Sequence, residues 1–573
     1  MKYKPIAKTP WEDMAIKSNL RDYEATRRDF DWETVRSSLS WLPGGGLNMA
    51  FEAIDRHCLT WRKNKVALHW ISKNLTAEKY TFQDLKRLTD RFANVLQDLG
   101  LQKGDRVFIF LGRIPELYIA AFGTLKAGGV VGPLFSAFGP EAIRDRLRDS
   151  GAKVLVTCPE LKVRVDEIRA ELPDLQHIIV VERDQPAGSS LGAGEINYRD
   201  AMAQASRQAK IVQTTADDYA VMHYTSGTTG KPKGAILTQA NYFIPNGYIN
   251  AIEWGLTAAD RQLITTPLTH RTAFGRVINM LCLGTTLVIL PKFDPRETAR
   301  LCAAERITVL GMVPTVGRML LPEIEASARS FASLRVMVAT GEAFPREVKE
   351  RILRALPHVG IHSYFAMTEC GALTSLGPAH QLSHPNSVGR LVPGVEVRFV
   401  DAAGRDTAPG EAGELWVRSG EPGRFLTLRG YWGQPAETAA ALHDGWFATG
   451  DMGRMDANGF LYIVDRKKDM VLSGGYNIYS KEVELAILEH PSVLDVAVVG
   501  VPDAVYGEAV AAFVELKPGA ALTEEQLVAH CRDRIAGYKK PRHVRFVGQL
   551  PRNSVGKIIK YKLREELAAA AAS

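Results

Sequence analysis

Tyr224-Thr225-Ser226-Gly227-Thr228-Thr229-Gly230-Lys231-Pro232-Lys233-Gly234 is the densest chemical signal in the chain, and it directly follows the short uncharged run of residues 219–223. The stretch is therefore expected to begin at a strand end. Gly227, Gly230 and Gly234 permit backbone angles and close approaches that a side chain would block, so hydroxyls and backbone N–H groups can surround phosphate oxygens. A Walker loop would need Gly-Lys followed by Ser or Thr at the opening of a helix, whereas Gly230-Lys231 is followed by Pro232 and Lys233. The Walker pattern fails. A plain surface turn would explain the glycines but not two lysines and four Ser/Thr hydroxyls in one loop.

On either side of this loop the chain alternates. Residues 65–181 interleave helical patterns such as 82–99 with short apolar runs at 107–110 and 154–157. A second alternating stretch covers 217–356, with strand-like segments at 287–290, 308–313 and 336–339. Both predict α/β structure with mostly parallel strands. From 389 to 464 the character changes to short β-prone segments, 395–400, 414–417 and 459–464, separated by Gly, Pro, Asn and Asp turns, which predicts a small β-rich subdomain. After Arg466 come a helix (480–490), two strands (493–501 and 509–516) and a helix (524–535). The expected architecture is multidomain α/β. A large N-terminal domain, residues 1–466, holds two α/β subdomains and the β-rich one, and a small α+β C-terminal domain, 467–573, is joined through residues 466–469.

Composition narrows the function classes. The 573 residues are 46% hydrophobic and 24% charged, with a net charge of +7 spread among interspersed signs rather than in a nucleic-acid-binding block. The six cysteines lie far apart, with no metal-ligand spacing, which fits unpaired thiols in a reducing compartment. The N-terminal lysines precede no apolar run, and the longest uncharged apolar stretch, 277–291, is too short to span a membrane. A cytoplasmic protein acting on small anionic molecules, with no nucleic acid and no membrane span, is the expectation. Oligomeric state is not fixed by the residues; a homodimer is the assembly considered.

Four further motifs follow the loop in order: Phe365-Ala366-Met367-Thr368-Glu369, Gly445-Trp446-Phe447-Ala448-Thr449-Gly450-Asp451, Asp465-Arg466-Lys467-Lys468-Asp469, and Pro551-Arg552-Asn553-Ser554-Val555-Gly556-Lys557. With residues 225–234, this ordered set resembles the acyl-adenylate-forming superfamily, which includes acyl-CoA synthetases, luciferases and peptide-synthetase adenylation domains. The resemblance implies an AMP-forming acyl-CoA synthetase, which joins a carboxylate to ATP as an acyl adenylate and passes the acyl group to the thiol of CoA. Such a step brings two anions together while pyrophosphate departs, so cations and preorganised donors must offset the charge. By resemblance Thr225, Ser226, Gly227, Thr228, Thr229, Gly230 and Lys233 cradle the triphosphate. Thr368 contacts phosphate, Glu369 holds Mg²⁺, an oxygen-seeking ion, and Gly341, Glu342, Ala343 and Phe365 line the adenine site. Asp451 and Arg466 bind ribose, and Lys557 bridges the carboxylate and the α-phosphate. The C-terminal domain is then mobile about Lys468, with Gly474 and Gly475 lining the pantetheine tunnel. Lys557 is also a plausible acetylation target, since acetylation would remove its charge.

For the acid itself, residues 23–32, Asn48 and residues 53–57 resemble the N-terminal extension of acetyl-CoA-synthetase-like enzymes. Acetate-restricted relatives close the acyl pocket with a tryptophan two residues before the motif threonine; here that position is Ala366, which implies a larger acyl group. His270 matches the position that gates the carboxylate pocket, with Phe274 beside it. Arg271 and Arg276 are unexpected in an oily pocket. A polar or second anionic group on the substrate would suit them, although pointing away or pairing in salt bridges is the plainer expectation. Alternatives are an acyl-AMP ligase delivering to a carrier protein, and a nucleotide-binding regulator without catalysis. Amino-acid adenylation would need an acidic residue near His270, and none stands there.

Overall fold

The computed structural model describes residues 32–572 apart from 73, 75, 184–191, 193, 227–231, 245–249, 342–343, 421–425, 475 and 553–557. The chain divides into two compact units, residues 1–396 with 418–447, and residues 397–417 with 448–573.

The first unit is built on two sheets. One takes β1 (Val66–Ile71), β2 (Ala77–Thr81), β10 (Arg261–Ile264), β11 (Thr286–Ile289), β12 (Val309–Met312), β13 (Val336–Thr340) and β14 (Gly360–Tyr364) in the order β14-β13-β12-β10-β11-β1-β2. All its pairs are parallel except β1 with β2. The other takes β3 (Arg106–Phe110), β4 (Val130–Pro133), β5 (Val154–Thr157), β6 (His177–Val180), β7 (Glu195–Asn197), β8 (Tyr219–Ser226) and β9 (Pro232–Thr238) in the order β9-β8-β4-β3-β5-β6-β7, parallel but for β8 with β9. The strands are near-continuous apolar runs buried on both faces, as parallel strands covered by helices must be. The helix Phe82–Asp98 starts where Thr81 and Asp84 form a capping box, and it buries Leu85, Phe92, Val95 and Leu96.

Residues 48–58 are tied to the first unit by polar contacts. Asn48 is fully buried, and its Nδ2 donates to the carbonyl of Leu125 at 2.8 Å and to Thr214 Oγ1 at 3.1 Å. Lys126, also fully buried, stands between Asp55 (2.7 Å) and Asp90 (2.6 Å). A buried ammonium is tolerated only when paired in this way.

The second unit interrupts the first in sequence. Glu396–Val400, Gly413–Arg418, Trp446–Met455 and Phe460–Arg466 form antiparallel β structure in the segment expected to be β-rich. Residues 418–447, however, return to the first unit, where Gly430–Tyr431 adds a short strand to β9. The remainder of the second unit is an α+β fold: Val493–Asp503 and His543–Val547 flank Gly507–Leu516, and the helices Ser480–Leu488 and Glu524–Arg532 bury Val483, Ile487, Leu527 and Cys531 against that sheet.

Candidate active site

The first unit brings its motifs to the carboxyl ends of parallel strands, where open α/β sheets bind ligands. β13 ends at Thr340, followed by Gly341 (φ +98°), and β14 ends at Tyr364, followed by Phe365; Thr340 Oγ1 donates to the Tyr364 carbonyl at 3.0 Å. β10 leads through residues 265–270 to His270, which is exposed and precedes the helix Arg271–Cys282. Glu342 and Ala343 lie outside the described residues.

The phosphate motif begins at the end of β8, whose last residues are Tyr224, Thr225 and Ser226. Thr225 and Ser226 are still within β8 and face Lys233 and Pro232 of β9, while Gly227, Thr228, Thr229 and Gly230 lie outside the described residues. The antiparallel register of β8 and β9 fixes where Thr225, Ser226 and Lys233 stand. Lys233 Nζ pairs with Glu437 and lies 5.5 Å from the ring centre of Tyr431.

Tyr431 links the hairpin to the Thr-Glu motif. Ala366–Met367 and Gly371–Ala372 pair antiparallel, and Thr368, Glu369 and Cys370 form the turn between them. Glu369 is 9% exposed; its Oε1 accepts from the Tyr431 hydroxyl at 3.2 Å, and its carbonyl accepts from the Leu428 N–H at 2.7 Å. Burial, then the Glu369 carboxylate, push the Tyr431 phenol well above its ordinary range, which keeps it a hydrogen-bond donor. Glu369 Oε2 is left without a protein partner among the described residues. One hard carboxylate oxygen, linked through Tyr431 to the β8–β9 pair, fits Mg²⁺, which takes one or two carboxylates together with substrate phosphates. No cluster of three or more His, Cys, Asp or Glu side chains suited to a metal occurs among the described residues.

Arg271 holds this turn from beneath, a role that its place in the sequence did not suggest. It is 3% exposed, and its guanidinium donates to the carbonyls of Thr368 (2.8 Å), Asn241 (2.8 Å) and Leu426 (3.1 Å). Gly371 (φ +69°) permits that approach, since a Cβ there would lie 3.1 Å from Arg271 Nη2. Arg271 and Arg276 are both buried, and the bonds described for their guanidinium groups go to backbone carbonyls. His223 on β8 is a second residue missed in the sequence. Burial drives it down to about 3, and its neutral ring is hydrogen-bonded through Nδ1 to the Thr269 carbonyl at 3.0 Å, fixing the backbone next to His270. Phe274 is buried, with its ring 6.3 Å from that of Phe122.

In the second unit, Asp451 and Arg466 are brought together. They stand opposite each other on antiparallel strands, with Arg466 Nε 3.0 Å from Asp451 Oδ1. Asp451 is buried and Arg466 half-exposed, so one ion of the pair faces solvent. Lys468 is exposed, and its carbonyl accepts from Arg564 at 3.2 Å. Gly474 (φ +58°) donates its N–H to the Tyr506 carbonyl at 2.8 Å, and Leu472, Tyr476, Val505 and Tyr506 expose apolar surface around that turn. Gly475 and Lys557 lie outside the described residues, and Arg552 and Ile558, on either side of the segment that contains Lys557, form an antiparallel bridge.

Residues 54–432 match the AMP-binding enzyme family, and residues 482–557 match the AMP-binding enzyme C-terminal domain. The chain belongs to the AMP-binding enzyme family. By that membership it is an AMP-forming acid–thiol ligase with ATP and CoA as substrates. Among relatives of this AMP-binding enzyme, the acetyl-coenzyme A synthetase of Bacillus subtilis (strain 168) is 34% identical over 95% of both chains. The long-chain-fatty-acid–CoA ligase of the same organism is 34% identical over 85% of this chain and 90% of its own. Among solved structures, ATP-bound MatB from Rhodopseudomonas palustris superposes with a TM-score of 0.79 at 30% identity, covering 91% of this chain and 99% of its own. The anthranilate CoA ligase AuaEII in complex with anthranoyl-AMP gives 0.80 at 28%, covering 93% and 99%. No helix among the described residues is long and apolar enough to cross a membrane, and none of the six cysteines is in a disulfide.

Proposed function

We propose that this enzyme condenses a carboxylic acid larger than acetate with ATP, releasing pyrophosphate, and then transfers the acyl group from the adenylate to CoA, releasing AMP. The observation that carries the reading is the run Lys233–Tyr431–Glu369, in which one tyrosine touches both the phosphate hairpin and the Thr-Glu turn. It sets a cation and a carboxylate on the two sides of one site.

In the first half-reaction, a carboxylate oxygen attacks the α-phosphorus and the bond to pyrophosphate breaks. Residues 225–233 hold the triphosphate, with Lys233 exchanging Glu437 for a phosphate oxygen, and Thr368 donates its hydroxyl to phosphate. Glu369 holds Mg²⁺, which when bound supplies charge neutralisation along the phosphates. Gly341, Glu342, Ala343 and Phe365 receive adenine, and Asp451 with Arg466 receives the ribose hydroxyls. Lys557 bridges the entering carboxylate and the α-phosphate, and His270 gates the acyl pocket. In the second half-reaction the CoA thiolate attacks the acyl carbonyl and AMP leaves. The domain from 467 onward turns about Lys468, Gly474 and Gly475 line the path of the pantetheine arm, and the apolar rim around Gly474 meets it.

Ala366 supports an acyl group beyond acetyl, because a small side chain two residues before Thr368 leaves space that a tryptophan would fill. A cytoplasmic location fits the supply of ATP and CoA. The test is pyrophosphate release from ATP and Mg²⁺ across short, medium, branched, hydroxy and aromatic acids, with and without CoA. CoA-dependent turnover with acids larger than acetate is expected. A preference for acetate would overturn the size assignment. A single turnover unaffected by CoA would make a carrier protein the acceptor, and no release from any acid would leave a nucleotide-binding regulator.

A further inference from the structure

The helix Arg271–Cys282 holds a second arginine whose surroundings differ from those of Arg271. Arg276 is 2% exposed, yet it makes one hydrogen bond, from Nη2 to the Val338 carbonyl at 3.3 Å, and its Nε has no partner. No carboxylate pairs with it among the described residues. A guanidinium carries five N–H donors and a charge that cannot be shed, so such burial is costly unless something answers it.

Two more buried polar side chains nearby in the fold are incompletely partnered. Gln262 on β10, 1% exposed, leaves Oε1 without a partner, and Asn279, fully buried one turn along the helix from Arg276, leaves both Oδ1 and Nδ2 unpartnered. Gly311 on β12 locates the cluster: a Cβ there would lie 2.5 Å from Arg276 Nη1 and 2.9 Å from Gln262 Nε2. The absence of a side chain on β12 is what lets the guanidinium and the amide meet over the strand. Arg276 lies about 9 Å of helix beyond His270, and the strand it touches at Val338 runs on to Gly341.

We propose that Arg276, Gln262 and Asn279 form a subsite for a second carboxylate, so that the acid this enzyme prefers is a dicarboxylate with a spacer of several carbons. The inference rests on the ligase reading and names its substrate class. One carboxylate enters past His270 for activation; the other meets the guanidinium and the two amides, whose N–H groups are donors to an anion. A monocarboxylate of equal length would leave the buried cation unanswered, and that difference selects the diacid.

The test compares matched acids on the intact enzyme, adipate against hexanoate and suberate against octanoate, by CoA-dependent pyrophosphate release. The diacid is expected to lead in kcat/KM by at least about 30-fold, the low end for a buried charge pair, and Arg276→Met is expected to remove or invert that ratio. Asn279→Leu should narrow it, which keeps a second variant in hand if Arg276→Met does not fold. Turnover of the monoacids ahead of the diacids, or a ratio unchanged in Arg276→Met, overturns the subsite and leaves the ligase reading standing. Release from none of the four acids nor from the wider panel overturns both.

Discussion

The Thr368–Glu369 turn and the Arg466–Asp469 turn each belong to a motif read from the sequence, yet they are held in opposite ways. Glu369 is buried, and the peptide groups around it are fixed by Arg271, Tyr431 and the Leu428 N–H. Lys468 is exposed. Its turn is closed by the Asp469 N–H to the Arg466 carbonyl at 2.9 Å and braced by Arg564, which reaches the Lys468 carbonyl and Asp469 from a third-exposed position. Contacts of the first kind leave unsatisfied groups in the interior when broken, whereas those of the second kind exchange with water at little cost. The first suits a catalytic group that must not move, and the second suits a hinge.

The largest expected effect tests the fixed turn. Glu369→Gln keeps the shape and the Tyr431 contact but removes the charge, so pyrophosphate release at saturating ATP should fall by about 10²- to 10³-fold, with a raised Mg²⁺ requirement. Near-normal release would end the assignment of Glu369 as the metal ligand. For the hinge, Lys468→Pro places proline third in a turn closed from residue 469 to 466, a position that proline disfavours. The two half-reactions should then separate by at least about tenfold, measured as adenylate formation against thioester formation from supplied acyl-AMP. Equal losses would show misfolding instead.

Arg271→Met asks how much of the fixed turn depends on one guanidinium. Three carbonyls lose a donor, so a loss of about 2–4 kcal/mol is expected, read as a lower midpoint in urea, with adenylation falling along with it. A stable protein with full activity would show that the turn holds itself. Smaller still is the pH term. Burial raises the carboxyl of Glu253 from 4.5 to about 7. A raised acid holds its proton more tightly when folded, so its contribution is intact below the unfolded value and is lost as pH rises through about 7, at most about 3 kcal/mol. Glu253→Gln should flatten the loss of thermal stability between about pH 5 and pH 8 by that amount; an unchanged slope would assign it to other groups.

What the sequence determined by itself was whatever repeats locally. Apolar runs bounded by turns marked β5, β11, β12 and β13 to within a residue or two, because a buried parallel strand needs a continuous apolar run. The helical pattern over 82–99 placed the helix Phe82–Asp98, and the ordered motifs gave the family. Tertiary structure alone decided the return of residues 418–447 to the first unit, which brings Tyr431 beside Lys233 and Glu369. It alone gave Arg271 and Arg276 different fates on one helix: the first meets three carbonyls from distant segments, the second meets one carbonyl and comes close to the Gln262 amide over Gly311. The physical reason is the same in each case. A charge is legible in sequence, but the groups that answer it come from residues far along the chain, and only folding brings them within hydrogen-bond distance.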